Sequence, residues 1–511
     1  MLASLLAGVQ AALPMAHAAD QLQLRLDGLS LPVDLKQLEA WTANPAGRHG
    51  DLNTWLELLE GRSRDDLRRL LSAPLLRDRS FGQQLLNSWA GERVLDEVGE
   101  LLTTGDGRPS GPLLLATLRQ LMQQQAQVTT IELLRAVPAP TLAVQLDALV
   151  ELAGQWRQQL ARQQLALQRL QELPLARQRA SSVPATNSAA SPRSVLLRVA
   201  HRPEPLSLSL WPARGPAHSS WVLLMPGLGG SPQQLAWLAD DLAGRGWPVL
   251  VLSHPGSDEQ AVRYLLDGQR PPPGAEVLPD RLADVQAVLA AERQGLLPPL
   301  GDGVVLMGHS LGGLTALLAS GVRPQRGLEQ RCGLALAGIP LTNLSQVLQC
   351  QLSGVALPQH LPGEGVKAVV AFNVFGSLLW PQRSLARLEV PVLLLAGSLD
   401  LVTPPLSEQL ELFLPQRNPN SRLVLVEGAS HFSVVRLPDT QQAIFRLGEE
   451  FVGVAPERAQ ALIAGLTADF LSALERPGGL LPQRRLQQGI TAHVLDRAAA
   501  QRWRRGLGGS P

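Results

Sequence analysis

Of everything in the chain, the run Gly303-Val304-Val305-Leu306-Met307-Gly308-His309-Ser310-Leu311-Gly312-Gly313-Leu314-Thr315-Ala316 leaves the fewest folds open. Val304 to Met307 are apolar without a break, the texture of a strand buried on both faces, and Leu311 to Ala316 begin an apolar helix. Between them stands G-x-S-x-G. Where a strand turns straight into a helix packed against it, side chains at Gly308 and Gly312 would collide, and the serine sits on a strained turn with its hydroxyl clear of the backbone. A serine hydroxyl is a poor nucleophile unless it stands free and faces a base, so this setting points to Ser310 as a nucleophile. Outside it, the same five residues would be a glycine-rich surface turn.

Such a nucleophile needs a base, a carboxylate to orient the base, and donors for a developing negative oxygen. Downstream, Val390 to Ala396 reads as a strand whose end delivers Asp400 into a turn. Arg422 to Val426 reads as another, followed by Glu427-Gly428-Ala429-Ser430-His431. Asp400 and His431 both stand just past strand ends, where open α/β sheets bind ligands, and the order Ser, Asp, His is that of the α/β-hydrolase fold. Asp400 is therefore read as the orienting acid and His431 as the base. The oxyanion donors are read as the backbone amides of Leu311, which opens the helix after the nucleophile, and Leu228, in the turn Pro226-Gly227-Leu228-Gly229-Gly230 after the strand Trp221 to Met225. That turn lacks the Lys and Ser/Thr of a phosphate-binding loop. His309 reads as a packing residue. His254 follows the strand Val249 to Leu252 but precedes the serine, so it is read as lining the substrate mouth and not as the base.

Five stretches organise the chain. Residues 1–18 read as a signal peptide, with an apolar run from Leu2 to Leu13 and the cleavable ending Ala16-His17-Ala18. No Lys or Arg precedes Arg25, which is atypical of a signal and points to a start further upstream. Residues 19–173 carry apolar residues at helical spacing, as at Leu52, Trp55, Leu56 and Leu59, and read as an all-α domain ending in a long helix from about Thr141 to Leu173. Residues 174–193, rich in Ser, Ala and Pro from Arg179 on, read as a flexible linker. Residues 194–452 alternate short apolar strands with helices and predict a mostly parallel sheet flanked by helices, with an antiparallel start. Residues 453–511 read as a helical extension and tail.

Composition narrows the partners. With 45 basic and 44 acidic residues the net charge is +1, so no overall field favours nucleic acid or an anionic membrane. No stretch is long and apolar enough to span a bilayer. The two cysteines, Cys332 and Cys350, read either as a disulfide, which suits export to a periplasmic or other envelope or lumenal compartment, or as buried thiols, which suit the cytosol. Two cysteines without histidine neighbours argue against zinc, and neither metal nor cofactor is called for. Oligomeric state leaves no sign in the sequence.

With these motifs assembled, the chain resembles a cyanobacterial family of dienelactone-hydrolase-like α/β-hydrolases with an N-terminal helical domain of unknown function. The resemblance rests on Leu35 to Trp41, Thr130 to Pro138, the blocks around Ser310, Asp400 and His431, Pro340-Leu341-Thr342-Asn343-Leu344-Ser345, and Leu348-Gln349-Cys350-Gln351. It is similar, more distantly, to platelet-activating-factor acetylhydrolases at Gly308 to Gly313. Some relatives take their acid from an earlier strand end; Asn373 stands near that place and cannot supply the charge. The resemblance implies cleavage of carboxylic esters on a small-molecule or lipid substrate. The apolar segment Val366 to Trp380, read as core strand at its front and as a wall of an acyl site at its end, tips the expectation towards lipid-like esters. The same triad would equally serve an acyltransferase or thioesterase, and a catalytically silent scaffold is the reading from another class. The helical domain reads as a lid, a dimerisation surface or a membrane-docking module.

Overall fold

A computed structural model describes residues 18–507 apart from 58, 73, 77–94, 96–97, 126, 177–190, 267–268, 270–273, 338–342, 359–363, 382–383, 437–452, 454–455 and 476–479. The expected signal peptide, except Ala18, lies outside the described residues, as do most of the expected linker and Pro340 to Thr342. The chain forms two compact units, residues 1–154 with 264–272 and residues 155–263 with 273–511.

The first unit is not all-α, which corrects the expectation for residues 19–173. Strands β1 (Gln21–Leu26) and β2 (Leu29–Asp34) form an antiparallel hairpin, turning at Asp27 and Gly28 with φ of 48° and 76°. Further strands are β3 (Pro74–Leu76), β4 (Leu102–Thr104), β5 (Val128–Thr129) and β6 (Thr141–Gln145). The sheet order is β2-β1-β6-β4, with β3 and β5 paired apart. The long helix thus begins at Leu146, not Thr141, and runs to Leu170. Helices α1 (Leu35–Ala43) and α2 (Thr130–Ala136) start where their sequences cap them. The Asp34 carboxylate accepts from the amides of Lys36 and Gln37, and Thr129 with Glu132 forms a reciprocal capping box. Leu35, Leu38 and Trp41 of α1 share a core with Ile131, Leu133 and Leu134 of α2.

The second unit holds a ten-stranded sheet. Its strands are β7 (Arg193–Leu197), β8 (Leu206–Trp211), β9 (Trp221–Met225), β10 (Val249–Leu252), β11 (Val304–His309), β12 (Val366–Phe372), β13 (Val392–Gly397), β14 (Arg422–Val426), β15 (Gln483–Gln487) and β16 (Ile490–Leu495). In the order β15-β16-β14-β13-β12-β11-β9-β10-β8-β7, the run from β10 to β14 is parallel, with antiparallel pairs at both margins. Alternation sends Trp221, Leu223 and Met225 of β9 into one core and Val222 and Leu224 into the other, which is why this strand is apolar at every position. From β9 the chain moves to one neighbour, β10, and then crosses to the other, β11. Such a reversal opens a crevice at the carboxyl ends of β9 and β11, the place where doubly wound sheets bind ligands.

Residues past Val452 are not simply helical. After helix α3 (Pro456–Glu475) the chain adds the hairpin β15–β16 to the sheet beside β14, and helix α4 (Arg497–Gly506) follows. The end of the segment Val366 to Trp380 is also corrected: Leu379 and Trp380 are buried in the core, and the Trp380 indole donates to the Arg323 carbonyl at 2.8 Å.

Cys332 and Cys350 are bonded, with Cα atoms 5.4 Å apart, joining helix α5 (Leu328–Ala335) to helix α6 (Ser345–Gln351). A crosslink closing a loop of this length removes about 3 kcal/mol worth of denatured-chain freedom. The Cys332→Ser, Cys350→Ser double variant should therefore unfold at a lower urea midpoint than the oxidised protein, and an unchanged midpoint would show that the bond adds nothing.

Candidate active site

The local geometry of Ser310 follows from how closely its glycines let three elements approach. A Cβ on Gly308 would lie 2.3 Å from the Gly312 carbonyl carbon, and one on Gly312 would lie 2.2 Å from the Met225 oxygen. Helix α7 (Leu311–Ala319) can therefore cross β9 and β11 only with glycine at both positions. Ser310, between them, has φ 51° and ψ −117°, outside the comfortable regions for an L residue. The surroundings hold it there: its amide donates to the Phe372 carbonyl at 2.8 Å and its carbonyl accepts from Leu314 at 3.0 Å.

Asp400 and His431 meet. A Cβ on Gly397 would lie 2.3 Å from the Ala429 oxygen, so the loops after β13 and β14 pass in contact. His431 Nδ1–H donates to Asp400 Oδ2 at 3.0 Å, which leaves Nε2 as the lone-pair nitrogen. Asp400 is fully buried and accepts further bonds from the amides of Val402 (2.9 Å) and Thr403 (2.7 Å), the Thr403 hydroxyl (2.5 Å) and Asn373 Nδ2 (2.6 Å). Burial alone would raise its pKa. The His431 charge and hydrogen bond, with the Thr403 hydroxyl and amide, outweigh burial and hold Asp400 below the usual carboxylate range. His309, next to the serine, joins the two sites: its Nε2–H donates to the His431 carbonyl at 2.9 Å, and the two rings lie 4.9 Å apart between centroids.

The turn after β9 closes on the same point. A Cβ on Gly227 would lie 3.4 Å from Ser310 Cβ. The turn is pinned by Gly230 N–H donating to the Gly227 carbonyl at 3.2 Å and by Gly229 N–H donating to Ser257 at 2.8 Å. Among the described residues the amides of Leu228 and Leu311 have no acceptor; Leu311 is the first residue of α7, where a helix offers none. His254 is not bonded to Asp400 or His431 but to Asp284. It is buried, with Nδ1–H donating to Asp284 Oδ2 at 2.9 Å.

Of the polar residues around this arrangement, Asn373 stood out in the sequence, whereas Thr403 and Glu408 did not. Asn373 lies at a strand end with φ 47° and donates from Nδ2 to Asp400. Glu408 is fully buried in a π-helical turn, Leu406–Leu410, just beyond Asp400. Its carboxylate accepts from Asn343 Nδ2 (2.6 Å), Gln349 Nε2 (3.0 Å), the Ser377 hydroxyl (2.8 Å) and the amides of Gly376 and Ser377 (2.8 and 2.9 Å). Asn343 and Gln349 belong to the blocks that made the resemblance specific. Their function is to tie the disulfide-bearing segment to the loop that carries Asp400, and Ser345 N–H adds a bond to the Val402 carbonyl at 2.9 Å.

Residues 222–445 match the family described as alpha/beta hydrolase family. The chain carries an α/β-hydrolase domain. Residues 18–145 match the family described as alpha/beta hydrolase of unknown function (DUF1400), a span that contains none of Ser310, Asp400 and His431. No curated protein matches the chain.

Three histidines of the second unit are held below their ordinary pKa chiefly by burial: His254 to about 4, His309 to about 3, and His493 in the same direction. Unfolding frees each imidazole to bind a proton below its ordinary value of about 6.5, so the unfolded state takes up more protons. Stability should therefore fall as pH drops from about 6.5 towards 4, by roughly 1.4 kcal/mol per pH unit for each fully buried imidazole. Asp284 and Asp400, both with lowered pKa, add their losses only below about pH 4. Urea midpoints across that window would check the sign, and a flat profile would rule out neutral buried imidazoles.

Proposed function

We propose that the α/β-hydrolase domain is a serine hydrolase acting on carboxylic esters, with Ser310 as nucleophile, His431 as general base and Asp400 as the orienting acid. The observation that carries this reading is the bond from His431 Nδ1–H to the buried Asp400 carboxylate, in contact through His309 with a serine held at φ 51°. His431 Nε2 takes the proton from Ser310 Oγ as that oxygen bonds to the ester carbonyl carbon. The negative carbonyl oxygen is received by the amides of Leu228 and Leu311. As the carbon–oxygen bond to the alcohol breaks, His431 returns the proton to the leaving oxygen. Water then attacks the acyl carbon, again losing its proton to His431, which passes it to Ser310 Oγ as the acyl carbon–Oγ bond breaks and the acid is released. Asp400 stays ionised throughout, fixing the imidazole tautomer and stabilising the transient imidazolium.

An exported location is part of the proposal. It is supported by the run Leu2 to Leu13 with Ala16-His17-Ala18, and by a disulfide that persists in oxidising compartments. A preference for lipid-like acyl groups draws no support from Val366 to Trp380, whose end lies in the core, and a series of p-nitrophenyl esters of rising chain length would set the acyl class.

Ser310→Ala should abolish hydrolysis of p-nitrophenyl esters and labelling by a fluorophosphonate while leaving the fold intact. Asp400→Asn should keep the geometry and lower kcat by about 10⁴-fold, because the imidazole would be held in the wrong tautomer. Turnover retained in Ser310→Ala would overturn the mechanism.

A further inference from the structure

Helix α8 (Leu278–Arg293) points a guanidinium into the core beneath the site: Arg281 is 1% exposed. Taking a guanidinium out of water is costly unless its donors are met, and a buried cation is normally set against a carboxylate. Arg281 makes no ion pair among the described residues. The nearby Asp284 carboxylate is occupied by Arg202, His201 and His254, at 2.7 to 2.9 Å. Arg281 instead donates from Nη2 to the Pro226 carbonyl at 2.6 Å, from Nη1 to the Ser257 hydroxyl at 2.8 Å and from Nε to the Thr315 hydroxyl at 3.1 Å.

Those three acceptors bracket the two unpaired amides. Pro226 opens the turn that carries Leu228, and its carbonyl lies where a Cβ on Gly312 would come within 2.7 Å, at the crossing of the turn and the elbow. Ser257 accepts the Gly229 amide on the far side of Leu228. Thr315 passes its own proton to the Leu311 carbonyl at 2.7 Å. One rigid, planar group therefore fixes the backbone before and after Leu228 and, through Thr315, the first turn of α7. Burial draws the Arg281 pKa down to about 9 against the pull of Asp284, so the group stays charged at neutral pH.

We propose that Arg281 is a positioning residue of the oxyanion site, setting the Leu228 and Leu311 amides for the transition state. The proposal rests on the esterase reading above. A displacement of about 1 Å in such a site costs on the order of 10²-fold in rate. In Arg281→Met, kcat per fluorophosphonate-labelled serine should fall by about 10- to 100-fold with KM changed by less than about threefold, and Arg281→Lys should recover part of the loss. A purely structural role would lower the melting temperature and the number of labelled sites but leave turnover per labelled serine unchanged. That result would overturn the proposal. Should Arg281→Met fail to fold, Thr315→Val keeps the guanidinium and deletes its link to Leu311. A fall of several-fold in kcat at unchanged KM is then expected, and an unaltered kcat overturns the proposal. Failure of the wild-type Ser310 to take up the probe would sink the esterase reading and this proposal together, whereas uptake with unaltered kcat in the variants would sink this proposal alone.

Discussion

At the crossing of α7 over the sheet, backbone meets backbone with nothing between. The Met225 oxygen, the Pro226 oxygen and the Gly308 to Gly313 backbone occupy space that a single methyl group would contest. This contact fixes the distance between the ends of β9 and β11, and so the distance between Ser310 and the turn that holds Leu228. The wrong-handed φ of Ser310 is its cost, of order 1–3 kcal/mol, offset by strand pairing on both sides and by an apolar helix with no exposed face. No side-chain substitution elsewhere could restore the spacing once a Cβ stood at 312.

Around that crossing the protein keeps charge where water does not reach. Asp400, Glu408, Asp284 and Arg281 are each buried, and each meets several donors or acceptors in place of solvent. For Asp400, Glu408 and Arg281 the partners are largely backbone amides, backbone carbonyls and short hydroxyls, groups already fixed by the strands and helices they end, whereas Asp284 meets Arg202 and two histidines. A charge satisfied in this way acts as a clamp, because moving any one loop would leave it partly unmet in a medium of low dielectric. The loops after β9, β10, β12 and β13 are thereby held as one polar layer over an apolar sheet.

Much of this could be read from the sequence, for a physical reason. Ser310, Asp400 and His431 each follow a strand that is apolar at nearly every position, and such strands announce themselves and their ends. The polar layer was not visible, since Arg281, Thr403 and Glu408 draw their meaning from partners far away in the chain. The strands of the first unit were missed for another reason. Leu22, Leu24 and Leu26, then Leu29, Leu31 and Val33, alternate around Asp27-Gly28, a hairpin signal outweighed by the helical spacing that follows. The hairpin β15–β16 turns on Gln488-Gly489, again with both φ positive, but its Arg- and Gln-rich first strand lacks an apolar face.

That late hairpin has a bearing on how the protein comes to be made. Strand β14 delivers the loop of His431, and its outer edge is closed only by β16, with Glu427 N–H donating to the Thr491 carbonyl and His493 bonded to the Glu427 carboxylate. While the chain is being synthesised, the strand that leads to His431 is an open edge until α3 and the hairpin have followed it. A nascent chain that has passed Ser310, Asp400 and His431 thus still lacks the last strand pair of the sheet from which their loops emerge.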